Sequence, residues 1–358
     1  MRTWMMLGLL GCTGKEAVDT SGDTSAVDWA SLDVTAAGPF QVGHTVVEHT
    51  YTAFDGDAPR TITVNVWYPT DDDGGFDAEY VLGVDEDAIA DAAPAAPIHD
   101  SGYPVHLYSH GFRAFGGDAA PTMRHFASHG WVAVAPDHVG NLITDHVDPL
   151  YTAHYIHKLR DLQESLDVAE GLALAGPVDT SAVLLSGHSF GASYSTWGAA
   201  GAAFDQVAQS CADESFYAGG CTDAELAAFT SGALDDDRVA AIVPLAGSVR
   251  EAFFGTTGYA SVEAPVLKMA GTEDNPESAQ AEWENTPDVS MVYVMLEGGC
   301  HLSFTTGACT TLDREVALEV VRSYTLAFGR KHILGDGTHD SLLDASEQPW
   351  PEAVTQAR

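Results

Sequence analysis

Short apolar runs alternate with longer segments of mixed polarity along most of the chain, and this rhythm is its main structural signal. Runs at 104–109, 131–135, 182–185, 239–245, 265–270 and 290–296 have the length and composition of buried strands, too short for ordinary helices. Between them, 118–129, 152–175, 276–285 and 312–329 carry helix-compatible patterns. Strands separated by helices do not pair as hairpins, so the pattern predicts a mostly parallel twisted sheet with helices on both faces, an α/β fold. Upstream, 42–50 and 61–68 flank Asp55-Gly56-Asp57, a hairpin signal that would form an antiparallel edge. The acidic, Ala/Pro-rich stretch 71–103 is read as a surface excursion with a short helix near 84–92. Residues 204–237 break the rhythm and are read as a cap-like insertion near a pocket mouth, and 331–358 as an irregular C-terminal tail.

Composition narrows the function classes. The chain has 358 residues, 45% of them hydrophobic, enough for a sizeable core. Fifteen Lys and Arg against 52 Asp and Glu give a formal charge of −37, which repels phosphate backbones and excludes nucleic acid as a partner. Arg2 followed by the apolar run Trp4 to Leu10 reads as an export signal, too short to span a membrane. Leu9-Leu10-Gly11-Cys12 resembles the lipobox of bacterial lipoproteins, which makes 1–11 a cleaved signal peptide and Cys12 a lipidated N-terminus. An ordinary secretory signal is the alternative. Residues 12–35 then form a flexible acidic tether, and 36–330 the folded domain. The location implied is the cell envelope, periplasmic or at the cell surface, with the membrane contacted only through the lipid. With Cys12 set aside, Cys211, Cys221, Cys300 and Cys309 remain; an even number in an exported chain suggests disulfides. Four cysteines allow three pairings, and proximity favours Cys211 with Cys221 and Cys300 with Cys309.

Candidate chemistry centres on Gly187-His188-Ser189-Phe190-Gly191, between an apolar strand and a helix rich in small residues at 192–203. A G-x-S-x-G in that setting resembles the nucleophile elbow of α/β-hydrolases, whose serine stands exposed above the sheet. Serine needs a base to take its proton and a carboxylate to orient that base. In this fold they follow in the order acid, histidine. Asp274 ends the strand-turn Pro265 to Asp274, with Glu273 as the alternative, and His301 follows Gly298-Gly299 at the end of the next strand. His125 with His129 and His154 with His157 have helical spacing for metal but no converging third ligand, so no metal is expected. The oxyanion needs backbone N–H donors; Phe190 supplies one, and Phe112 of Ser109-His110-Gly111-Phe112 is the candidate for the other.

His110-Gly111-Phe112, the stretch Ala127 to His138 with Gly140-Asn141, the elbow and Val66-Trp67-Tyr68-Pro69 together resemble the predicted dienelactone hydrolases and the platelet-activating-factor acetylhydrolases, over most of 40–329. The resemblance implies a serine carboxylic-ester hydrolase acting on a small-molecule or lipid-like ester without a cofactor. Two departures stand out. Dienelactone hydrolases use a cysteine nucleophile, and no Asp follows the strand at 239–245, where the acetylhydrolases place theirs, which favours Asp274. Bacterial cutinases and polyester hydrolases are similar in fold, but Leu245 to Val249 lacks their aromatic-stacking tryptophan. Phe112, Phe115 and Phe190 are candidates to line an apolar site, with Phe253 and Phe254 equally suited to ordinary packing. From another class, a non-catalytic binding protein on a hydrolase scaffold is the competing reading.

Overall fold

The structure, a computed structural model, describes residues 27–214 and 220–358. The signal peptide, Cys12 and residues 12–26 of the tether lie outside the described residues. Eleven strands form one sheet among the described residues: β1 (Gln41–Tyr51), β2 (Arg60–Thr70), β3 (Asp77–Tyr80), β4 (Gly83–Ala90), β5 (Tyr103–Ser109), β6 (Val132–Asp137), β7 (Val178–His188), β8 (Val239–Leu245), β9 (Val266–Gly271), β10 (Met291–Leu296) and β11 (Ala353–Ala357). Their order is β11-β10-β9-β8-β7-β5-β6-β2-β1-β4-β3. The six strands from β10 to β6 run parallel, so the sheet carries a parallel centre with antiparallel additions.

Side chains alternate across the central strands, and each face has its own helices. Val132, Val134, Val183 and Leu185 pack against α2 (Thr152–Glu170) through Tyr155, Ile156, Leu159 and Leu162. Ala133, Ala135, Leu184 and Val243 face α1 (Ala120–Ser128) and a long C-terminal helix, Arg314–Ile333, through Phe126, Val320, Tyr324 and Phe328. Every residue of β5 and β6 is buried, which is why these strands read as mainly apolar runs rather than alternating ones.

Four expectations need correction. Residues 84–92 are not helical: β4 pairs with β1 through Gly43 and His44 and with β3 on its other side. Asp85 lies buried and accepts from Tyr80 Oη at 2.6 Å and from Arg124; pairing to the open edge of β1 overrides the helix-compatible composition. The β1–β2 hairpin is therefore interior, with β2 also bonded to β6, and β3 forms that edge. The described end of the tether is packed: Arg330 donates to Leu32 O and Ala30 O at 2.7 Å each, His125 Nε2 to Val34 O at 2.8 Å and His129 Nε2 to Ala36 O at 3.0 Å. Finally, 331–358 is no irregular tail. It continues the long helix to Ile333 and ends in β11, which pairs antiparallel with β10, and the Arg358 guanidinium lies 3.9 Å from the Trp283 ring centroid.

The insertion holds two short helices, Val207–Ala212 and Asp223–Thr230, linked by a Cys211–Cys221 disulfide. It packs against the α2 side of the sheet: Phe229 meets Phe204 and Phe253, and Thr152 Oγ1 donates to Gly220 O at 3.2 Å.

Eight buried histidines are held neutral by desolvation: His44, His99, His129 and His188 are pushed down to about 4, His106 and His125 to about 3, and His110 and His138 well below the usual value. A histidine whose folded pKa lies below its unfolded 6.5 contributes stability fully above pH 6.5 and loses it as pH falls toward the folded value. Asp118, raised to about 7 by burial, and Asp137 and Asp161, also raised by burial, act in the opposite sense. The lowered histidines outnumber the raised carboxylates, so unfolding near pH 5 is expected to take up protons on balance. The melting temperature should drop steeply from pH 6.5 to 4.5; a flat profile there would contradict this account.

Candidate active site

At the carboxyl end of β7 the chain turns sharply into a helix. Ser189 has φ 53°, a left-handed conformation that is strained for a non-glycine residue. Its N–H is fixed to Leu245 O at 2.9 Å, and its C=O accepts from Ser193 N–H at 2.8 Å. The turn closes because its flanks carry no side chains: a Cβ on Gly191 would lie 2.0 Å from Ser109 O, and one on Gly187 2.7 Å from the Gly191 carbonyl carbon.

Two further loops converge on the serine. Asp274 follows β9 and His301 follows β10. His301 Nε2 lies 2.8 Å from Ser189 Oγ, and His301 Nδ1 lies 3.0 Å from Asp274 Oδ2. A carboxylate only accepts, so Nδ1 carries the proton and Nε2 presents its lone pair to the serine hydroxyl. Glu273 is exposed and instead gives its backbone N–H to Gly299 O at 2.8 Å. Cys300 and Cys309 are bonded and bracket the loop that begins at His301.

His188 plays a part the sequence did not disclose. Its Nε2–H donates to the backbone carbonyl of His301 at 2.7 Å, and its ring lies 4.8 Å from the His301 ring. Burial keeps it neutral, so this clamp holds across the physiological range. Only its position, one residue before the nucleophile, could have signalled it.

Phe112 and Phe190 come together across the cleft: with Pro149, Leu150, Tyr155 and Arg250 they line a lobe of about 170 Å³. The Gly111 C=O accepts from the His110 ring Nδ1–H at 2.8 Å, turned into the protein. A trans peptide points its N–H opposite to its C=O, so the Phe112 N–H is directed away from that interior. A more polar lobe of about 260 Å³ is lined by Ser189, Ser193, Ser248, Arg250, Asn275 and His301 among others. Its floor at 247–249 is anchored from below: Lys268 bonds Gly247 O and pairs with Glu282 at 3.1 Å, and Glu282 accepts the Val249 N–H at 2.8 Å.

Other expectations fall elsewhere. Phe253 and Phe254 are fully buried against Tyr194, and Phe115 is buried against Gly117; none of the three lines either lobe. Among the described residues, 204–237 contributes nothing to the two lobes; its short helices bury their apolar face on α2 and the Phe253 cluster. His157 Nε2 meets Asp57 at 2.8 Å and His154 packs on Gly140, while His125 and His129 hold the N-terminal segment described above. No group of three or more metal-ligating side chains converges among the described residues.

A strained serine between strand and helix, above a mostly parallel sheet and facing a histidine and a carboxylate on two later loops, is the arrangement of the α/β-hydrolase fold, and the chain has that fold. Residues 90–207 match the family model for chlorophyllase. The structure is similar to that of a ferulic acid esterase from Streptomyces cinnamoneus, with a TM-score of 0.65 at 19% identity, covering 90% of this chain and 98% of the other. No curated protein matches the chain.

Proposed function

We propose that the protein is a serine carboxylic-ester hydrolase working through an acyl-enzyme. The observation that carries this reading is the unbroken hydrogen-bonded chain Asp274–His301–Ser189 at the mouth of a two-lobed cleft. His301 Nε2 takes the Ser189 proton as Oγ bonds the ester carbonyl carbon. The negative charge moves to the former carbonyl oxygen, where the Phe112 and Phe190 N–H groups receive it. Collapse of this adduct breaks the bond to the alcohol oxygen, which leaves with the proton from His301. Water then repeats the sequence on the acyl-enzyme: His301 takes its proton, the hydroxide oxygen bonds the acyl carbon, and Ser189 leaves with the proton restored. Asp274 keeps the imidazole in the required tautomer and stabilises its charged form throughout. No step calls for a metal or organic cofactor.

Export with a lipid on Cys12 is part of the same proposal. Two disulfides support an oxidising compartment, and no helix among the described residues is long and apolar enough to cross a membrane. The substrate would be a small or lipid-like ester reaching the cleft from the envelope side.

Turnover of short p-nitrophenyl esters is expected from the wild type, with kcat lowered by about four orders of magnitude or more in Ser189→Ala; equal rates in the two would remove the enzyme reading. Cells grown with labelled palmitate should label the wild type and not Cys12→Ala. Equal incorporation in both would rule out that anchor.

A further inference from the structure

Beneath the oxyanion loop lies a buried lysine that proton transfer does not use. Lys158, on α2, is 1% exposed. Its Nζ donates to His110 O at 2.8 Å and sits 5.1 Å from the centroid of the Phe190 ring. No carboxylate forms an ion pair with it among the described residues. Asp161, one turn further along the helix, is taken by Arg60 at 3.0 Å, by His138 Nδ1 at 2.8 Å and by Tyr51. Asp118 is bonded to Tyr108 at 2.7 Å. Both carboxylates act on the ammonium only through space, and burial drives its pKa well below the usual lysine value.

A buried ammonium without an ion pair carries a large desolvation penalty, and an apolar residue of similar volume is commonly as stable or more so. Packing therefore gives no reason for a lysine at 158. Its location gives one. The His110 carbonyl belongs to the peptide that precedes the Gly111–Phe112 peptide. Lys158 holds the first of these carbonyls and the His110 ring the second, while His110 Nε2 is itself fixed by the His138 N–H at 3.0 Å. With both C=O groups turned inward, both N–H groups point the other way.

We propose that Lys158 is a positioning residue of the oxyanion loop: its Nζ locks the His110 carbonyl and so fixes the peptide orientation that aims the Phe112 N–H. This assignment rests on the serine-hydrolase reading. It predicts a division between chemistry and stability that a structural lysine would not produce.

The test compares wild type and Lys158→Met with a soluble p-nitrophenyl ester and with phenylboronic acid, which forms an anionic tetrahedral adduct on an activated serine. In the variant kcat should fall on the order of 100-fold and KM should move by less than about threefold. The inhibition constant for phenylboronic acid should rise in proportion to the loss in kcat, while the melting temperature stays equal or increases. Wild-type kcat in the variant, unchanged boronate affinity, or a variant that fails to fold would each overturn the assignment. Absence of ester turnover in the wild type would instead remove the hydrolase reading on which it stands.

Discussion

The left-handed backbone at Ser189 is the constraint on which the rest of the site depends. A non-glycine residue at φ 53° is unfavourable by itself, and it persists because neighbouring chains leave it no alternative. Leu245 O on β8 holds its N–H, and the Ser109 carbonyl on β5 stands where a side chain at 191 would be. Three adjacent parallel strands thus deliver their carboxyl ends to one point. The nucleophile comes from β7, the oxyanion loop from β5 and the cleft floor from β8, while β9 and β10 bring the acid and the base. Parallel strands are what makes this possible, because all their carboxyl ends lie on the same edge.

Charge is distributed unevenly between inside and outside. Most of the few cations are engaged internally or at the edge of the core: Arg60 with Asp161, Arg124 with Asp85 and Asp87, Lys268 with Glu282, Arg330 with Asp336 and the 30–32 carbonyls, and Arg238 with Asp236 and Asp167. The solvent-facing side is left strongly anionic, which favours hydration and keeps copies of the molecule apart. Inside, burial rather than ion pairing decides protonation: His106 and the other core histidines are neutral, and Asp118 is lifted to about 7. Arg250 stands at the cleft itself, set over the Phe190 ring at 5.3 Å and bordering both lobes.

The part of the site that is local in sequence was legible there. The elbow needs two glycines at fixed spacing, and the order of acid and histidine follows from chain topology, so Ser189, Asp274 and His301 could be named from the chain alone, and the structure brings them within hydrogen-bonding reach. The central strands were equally clear, because burial on both faces leaves mainly apolar runs. What escaped were features created by distant partners. Lys158 looks like one more polar position on a helix until α2 is laid against β5. The carbonyls of 30–36 have no signature, since their donors are Arg330, His125 and His129. The outlying strands β3, β4 and β11 are partly polar, and the open edges of β1, β4 and β10 decide their conformation.

The most direct measurement is to treat the protein with a fluorophosphonate and locate the adduct by peptide mass spectrometry. The account predicts one stoichiometric adduct, on Ser189, forming at a rate that collapses in His301→Ala. A stoichiometric adduct on another residue, or none on a protein that turns over esters, would contradict it.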